Sequence, residues 1–447
     1  MMNLIKKTIQ NIISINTKRY LILKGSLSAF SLKITSAIIS FLLNVIIVRY
    51  LGSELSGIYY IIISIITIAS TICCFGMNAP IVKYTSIYYD NKKYGHFNKM
   101  YHFSLKTSLS ISIILISLIS LFKTQISELF GEPKLVKPLF MMSFIILFYS
   151  FSIISSNILR GQKRIFNSIL VLNVLTPSIT LVGITVFGQS SGMNGIIISH
   201  LLASAFTACY SYFSVRRKMV KDQGSEIFDK SEFLDSSMNL IWVDLSQIFI
   251  ARFPTLIIGF FLLSEDVGIF NVASRIGMIS NFMLVAVSSI SAPIIAELHH
   301  KNKILDLEKL ATRSATILAV IGSIYVLGVS VFSKDLMAIF GEEFTVGYKV
   351  LIYISIAQLL TMSTGPVGLY LTMTGNDNTW KKIVFFTAFI NTILSIILIP
   401  FLGIIGGAIA FLASSPLQSF IGAWFVYKRL GIIVLPFLGF KNNLKLC

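Results

Sequence analysis

The sequence SELSGIY at residues 53–59 recurs as SEDVGIF at residues 264–270, 211 positions later. Two further pairs follow in the same order and at nearly the same spacing. FGE at 130–132 recurs at 340–342, and GMNG at 192–195 is matched by GIIG at 403–406. Three matches at one spacing indicate an internal duplication rather than chance similarity. The sequence therefore predicts a chain built of two similar halves.

Each half contains six apolar stretches of about the 20 residues that a membrane-spanning helix needs. The predicted spans are 25–48, 57–79, 104–122, 139–159, 165–187 and 195–215, then 237–263, 268–293, 312–332, 346–373, 380–401 and 404–427. Because six is an even number, both halves insert the same way up, as parallel repeats around a central cavity do. We predict an all-α membrane protein of about 12 transmembrane helices in two six-helix lobes around such a cavity.

The composition excludes a soluble protein and a nucleic-acid-binding surface. Only 13% of the 447 residues are charged and 55% are hydrophobic, whereas soluble domains carry about a quarter charged residues. The net charge of +18 resides in short clusters between the apolar runs, not on a continuous basic face. The four cysteines lack the paired spacing of a zinc or disulfide framework. The expected solvent for most of the chain is lipid.

The basic residues also predict the orientation. With the N-terminus in the cytoplasm, the cytoplasmic segments hold 28 Lys and Arg, the outward segments hold 6, and 3 lie within spans. Positive residues concentrate on the cytoplasmic side of membrane proteins, so both termini are expected there. The predicted organisation is an amphipathic cytoplasmic-face segment at 1–24, an N-lobe at 25–215, a basic cytoplasmic linker at 216–235, a C-lobe at 236–428 and a cytoplasmic tail at 429–447.

Four ionisable residues within the spans are the candidate functional residues: Lys33, Asp244, Arg252 and Arg275. A charge inside a bilayer is costly and needs a partner or a wet cavity. The three cations are candidates for a cationic lumen that binds an anionic substrate, because the guanidinium fork of arginine suits phosphate. Asp244 is the candidate for ion coupling. The alternatives are snorkelling of Lys33 to the headgroups and structural pairing of the other three. His200 is expected to be a hydrogen-bonded packing residue, not a proton relay.

Four motifs give the chain a resemblance to a known family. These are VRYLGSELSGIYY at 48–60, FGM at 75–77 followed by KY at 83–84, and GIFNVASRI at 268–276 with the Ala-Pro pair at 292–293. The sequence resembles a bacterial polysaccharide flippase of the multidrug/oligosaccharidyl-lipid/polysaccharide (MOP) exporter superfamily. The resemblance implies two six-helix lobes that carry a polyprenyl-pyrophosphate-linked oligosaccharide, an O-antigen or capsular repeat unit, from the cytoplasmic to the outer face of the inner membrane.

The same resemblance implies alternating access coupled to a cation gradient, H⁺ or Na⁺, with no other cofactor, no bound metal and no catalytic residues. The expected partners are the lipid-linked oligosaccharide, membrane lipids and the polysaccharide polymerase or ligase machinery. Two alternatives stay open. One is a cation-coupled multidrug exporter of the same superfamily, which Lys33 in place of an acidic residue in the first span disfavours. The other is a membrane glycosyl polymerase, which the short outward loops disfavour.

Overall fold

A computed structural model describes the backbone of residues 2–217 and 228–436, and the side chains from residue 31 onward within these ranges except 189–191, 239, 289, 290 and 293. All regular structure in this part of the chain is helical. The α-helices are α1 (Met2–Cys73), α2 (Asn78–Asp90), α3 (Tyr94–Leu129), α4 (Val136–Ser143), α5 (Ile145–Gly161), α6 (Ile165–Ile169), α7 (Thr176–Arg216), α8 (Lys230–Phe261), α9 (Ser264–Gly277), α10 (Asn281–His300), α11 (Ile304–Ala338), α12 (Tyr348–Ser363), α13 (Val367–Met373), α14 (Asp377–Leu402) and α15 (Ile404–Leu430).

The helices confirm a multi-pass membrane protein. Within the described residues, nine helices are long and apolar enough to span a bilayer, or eleven if each of two bent pairs counts as one span. The bends are 42° between α4 and α5 and 43° between α9 and α10, inside the predicted spans 139–159 and 268–293. Among these, Ser31–Cys73 is taken as one membrane-spanning helix, but a break at Gly52 divides it into two. Treating its two parts as separate crossings gives the predicted twelve.

The break at Gly52 folds α1 back on itself. Its φ of 71° and ψ of −178° are non-helical, a conformation that glycine adopts without a steric penalty. Tyr60 Oη donates a hydrogen bond of 3.2 Å to Asn44 Oδ1, although 16 residues of straight helix would separate the two by about 24 Å. In the second half, Thr255 Oγ1 of α8 donates to Asn271 Oδ1 of α9 at 3.3 Å. Each partner lies 211 positions after its counterpart, so the two halves share this packing.

A reciprocal contact joins the two halves at the quoted motifs. A Cβ on Gly57 would lie 1.6 Å from the carbonyl oxygen of Ser264, and a Cβ on Gly268 would lie 2.4 Å from that of Ser53. Ser264 and Gly268 are the repeat counterparts of Ser53 and Gly57. The motif of each half therefore packs against the motif of the other, with the symmetry expected of a parallel repeat.

Interlobe contacts also join the two halves at the Gly52 end of the bundle, which we call the outer end because its loops carry few basic residues. Arg49 Nε donates to the Ile339 carbonyl oxygen at 2.7 Å. The backbone N–H of Ser53 donates to Glu343 Oε1 at 2.8 Å. These bonds connect the first half with the loop after α11, and the two lobes are therefore in contact at this end.

At the opposite end, which we call the basic end, α8 packs against the first half. Gly76 has a φ of 66°, and a Cβ there would lie 2.2 Å from the Ser237 carbonyl oxygen. Tyr84 Oη donates to Glu232 Oε1 at 2.8 Å. The positive φ angles of Phe75 and Gly76 end the predicted span 57–79 at Cys73 and redirect the chain into α2. The beginning of the second half is thus anchored on the first.

Three predicted segments are only partly described. α1 begins at Met2 and passes through the predicted 1–24 segment without a separate helix, while the side chains that would make this segment amphipathic lie outside the described residues. In the predicted linker, positions 218–227 are outside the description and α8 already begins at Lys230. In the predicted tail, positions 437–447 lie outside the described residues. The lobe boundaries stay predictions.

The reciprocal glycine contact yields a test by Gly57→Ala. The added methyl group would overlap the Ser264 backbone, which cannot rotate away, and overpacking costs about 1–3 kcal/mol or more. We expect a lower thermal unfolding midpoint for the purified protein in detergent. The matched control is Gly328→Ala in α11, where no atom lies within 4 Å of the added Cβ, so its midpoint should stay level or rise. Equal midpoints for the two variants would contradict the close packing.

Candidate functional site

A cavity of about 560 Å³ lies between the two halves. Its walls come from the first part of α1, from α8 around Pro254, from α9 and from the start of α10, with single residues of the second half completing the lining. Pro254 is part of the lining and lies within the helix, where a proline removes a backbone hydrogen bond and favours a bend. The described lining contains two arginines and no carboxylate. The cavity is therefore cationic.

Arg252 and Arg275 are those two arginines. The Arg275 guanidinium lies 5.1 Å from the centre of the Tyr60 ring, a cation–π arrangement. Arg252 Nε is buried and has no hydrogen-bond partner within the described structure. Arg252 and Arg275 are close enough for their charges to act on each other. In the part of the chain that the structure describes, neither forms an ion pair with a carboxylate. Both side chains thus retain donors for an anion.

Lys33 is half-buried on α1 and does not line the cavity. It precedes the first lining residue of α1, Ala37, by four positions, or about 6 Å along the helix. The structure therefore does not bring Lys33 into the site of the two arginines.

Asp244 lies in a separate polar group that connects the two halves. Asn78 Nδ2 donates to Asp244 Oδ2 at 2.7 Å, and Asn157 Nδ2 donates to Asn78 Oδ1 at 3.0 Å. Asp244 does not line the cavity. No sequence pattern pointed to Asn78 or Asn157, because they are far from Asp244 along the chain and carry no charge. Within the described ranges, no three His, Cys, Asp or Glu side chains come together as metal ligands would.

His200 forms a hydrogen bond through Nδ1 with Tyr59 Oη at 2.9 Å. This agrees with the expectation of a hydrogen-bonded packing residue. The bond also holds Tyr59 in place. Tyr59 is adjacent in the chain to Tyr60, whose ring contacts the Arg275 guanidinium. His200 therefore acts on the site only indirectly, through these two tyrosines.

The remaining lining combines polar groups with aromatic rings. Ser40 and Asn44 of α1 line the cavity together with Asn271 and Asn281 of the second half. The aromatic part of the lining could not be predicted from the sequence, because phenylalanine is common throughout the chain; it consists of Phe41, Phe270, Phe282, Phe340 and Phe411.

One wall of the cavity is apolar and exposed. Ile38 and Leu42 of α1 and Phe282 of α10 line the cavity and are 55%, 47% and 46% exposed. Because exposed apolar side chains on membrane-spanning helices are available to lipid, we call this the lipid-facing wall.

Comparisons with known proteins agree with this architecture. The chain is 25% identical to the probable low-salt glycan biosynthesis flippase Agl15 of Haloferax volcanii over 429 residues, covering 91% of this chain and 86% of that protein. Among solved structures, the lipid II flippase MurJ in an inward closed conformation superposes with a TM-score of 0.74 at 17% identity, covering 89% of this chain and 87% of that one. An inward-facing MATE multidrug transporter of the MOP superfamily gives 0.72 at 14% identity, covering 90% and 98%.

These structural likenesses establish the fold, which is that of the MOP superfamily transporters. They confirm the predicted all-α fold class. A family model described as polysaccharide biosynthesis protein matches residues 22–299. That match spans more than half of the chain, including all of the first lobe, both motifs and both cavity arginines. The chain belongs to this polysaccharide biosynthesis protein family.

Proposed function

We propose that the protein is a flippase that translocates a polyprenyl-pyrophosphate-linked oligosaccharide, an O-antigen or capsular repeat unit, across a bacterial inner membrane. Transport runs from the cytoplasmic to the outer face by alternating access, with both termini in the cytoplasm. The observation that carries this proposal is the pair of arginines in an interlobe cavity with a lipid-facing wall. The family membership and the flippase name of the Haloferax volcanii relative support it.

The electrostatics of the cavity favour a phosphate-bearing substrate. Two guanidinium groups that have no carboxylate partner among the described residues are costly in a membrane protein, and a pyrophosphate offsets this cost through charge-assisted hydrogen bonds. A cationic drug would add a third positive charge to the same cavity. The geometry therefore favours the flippase over a multidrug exporter, although the fold is common to both.

The lipid-facing wall accounts for the polyprenyl tail of the substrate. A polyprenyl chain cannot enter a polar cavity of 560 Å³ without losing its contacts with lipid. Beside Ile38, Leu42 and Phe282, the tail stays in the bilayer while the pyrophosphate and the sugars cross between the lobes. The aromatic lining then contacts the apolar faces of the sugar rings. Under this proposal, the contacts at the outer end close the cavity on that side while substrate is loaded from the cytoplasm.

Asp244 is the proposed coupling residue. It joins α8 of the second half to Asn78 and Asn157 of the first, so a change in its charge alters a bond between the lobes. H⁺ or Na⁺ binding at this carboxylate, driven by the cation gradient, would thereby bias the equilibrium between the two states. The polymerase or ligase that uses the exported repeat unit completes the proposed pathway.

The cavity arginines give the main test of the function. Arg252→Ala and Arg275→Ala should each lower the affinity of the purified protein for a polyprenyl-pyrophosphate-linked sugar by about tenfold to a hundredfold, because each hydrogen bond to a charged group contributes about 1.5–3 kcal/mol. Binding can be measured in detergent by native mass spectrometry. Cells that carry the double variant as their only copy should lose surface polysaccharide.

The control for charge loss is Arg313→Ala in α11, which removes an exposed arginine outside the cavity. It should leave binding and surface polysaccharide unchanged. Arg275→Lys separates charge from shape, since it keeps the positive charge but loses the planar donor fork. Normal surface polysaccharide in the Arg252/Arg275 double variant would refute the cationic-cavity mechanism. Loss of drug resistance with normal polysaccharide would favour the exporter.

A separate experiment tests the coupling role of Asp244. In proteoliposomes, an imposed H⁺ or Na⁺ gradient should accelerate transport of the lipid-linked sugar by the unaltered protein. Asp244→Asn keeps the size of the side chain but removes the titratable charge, so its rate should no longer respond to either gradient. Asp335→Asn, at an exposed position, is the matched control and should respond normally. An unchanged response in Asp244→Asn would exclude this carboxylate as the coupling group.

A further inference from the structure

A second pocket, of about 340 Å³, opens between the lobes at the basic end of the bundle. Lys83 and Tyr84 of α2 line it from the first half, and Lys381 of α14 lines it from the second. Ser236 and Leu240 of α8 form its floor. Two cations from opposite lobes therefore face one concave space, and the proposed transport cycle uses neither of them.

Neither lysine of the pocket forms an ion pair with a carboxylate of the described residues. The Lys83 ammonium lies 5.2 Å from the centre of the Tyr84 ring. The neighbouring acid, Glu232, accepts the hydrogen bond from Tyr84 Oη and is not part of the pocket lining. The two like charges repel each other unless an anion lies between them.

The pocket is distinct from the transport cavity. The described linings of the two share no residue. On α8 the pocket ends at Leu240 and the cavity begins at Ile250, which is about 15 Å further along the helix. α2 follows directly on the end of a membrane-spanning segment, and α14 begins one at Asp377. The pocket therefore lies at the depth of the lipid headgroups.

We propose that this pocket binds the phosphate headgroup of an anionic phospholipid, which bridges Lys83 of one lobe and Lys381 of the other. The two lysines and the hydroxyl group of Ser236 supply donors for the phosphate. Ala79, Pro80 and Leu240 supply an apolar rim for the glycerol and the first methylenes of the acyl chains. A lysine near an anionic membrane surface contributes about 1 kcal/mol, so two that converge on one phosphate give selective binding.

Bridging the lobes has a consequence for the conformational equilibrium. The headgroup contacts both lobes only in a state that holds α2 and α14 around one pocket. A ligand that binds one state more tightly shifts the population toward it. The bound phospholipid thus stabilises the conformation described above, and the anionic lipid content of the membrane regulates how readily the lobes rearrange.

Thermal unfolding of the purified full-length protein in detergent provides the test. Phosphatidylglycerol, titrated into the micelles, should raise the unfolding midpoint, whereas phosphatidylcholine should not. The double variant Lys83→Gln/Lys381→Gln should need at least about tenfold more phosphatidylglycerol for the same rise. The matched control, Lys93→Gln/Lys382→Gln, removes two exposed lysines close to the same helices and should respond like the unaltered protein.

Two results would overturn the proposal. One is an equal response of both double variants, which would mean that phosphatidylglycerol acts on the surface in general. The other is an equal midpoint shift from inorganic pyrophosphate alone, which would identify a small-anion site and not a lipid site. Arg275→Ala should keep the phosphatidylglycerol response in full. The lipid site and the flippase function therefore succeed or fail independently.

Discussion

The backbone contact between the two motif glycines is the constraint on which the rest of the architecture depends. Gly57 packs on the carbonyl of Ser264, and Gly268 packs on the carbonyl of Ser53. Neither position has room for a side chain, so the returning part of α1 and α9 approach as closely as two helices can. In lipid, such small-residue contacts replace the hydrophobic driving force that packs helices in water. Because the contact is nearly symmetric, it also fixes how the two lobes face each other.

The cavity follows from that arrangement. The halves meet near the outer end, where the hydrogen bonds from Arg49 and Ser53 join them, and again at the basic end, where α8 packs on the first half. The cavity lies between these contacts. Its lining combines apolar and aromatic side chains with hydrogen-bonding groups and two arginines. The polar group around Asp244 and the lysine pocket lie at other points where the lobes touch.

The periodic features of the sequence predicted the fold. Features that depend on contacts between residues far apart in the chain could not be predicted from the sequence. The repeat and the length of the apolar runs suffice for two lobes of six spans, because lipid permits few alternatives to the helix. Arg252 and Arg275 were identified because a charge is conspicuous in an apolar helix. The partners of Asp244 were not, because an uncharged asparagine on a remote helix leaves no local pattern. Lys33 illustrates the same limit, since its charge made it a candidate but the sequence could not show that it lies outside the cavity lining.

The repeat also shows that the positive charge of the cavity is distributed unequally between the two halves. The first-half counterparts of Arg252 and Arg275 are Phe41 and Ser64, 211 positions earlier. In a symmetric pair of identical six-helix chains, every guanidinium group would have a twin across the twofold axis. Here both cations of the cavity come from the second half, and the first half contributes only uncharged residues of α1 to the described lining. The field inside the cavity is consequently lopsided, so a headgroup that enters it meets positive charge on one side and has a preferred heading.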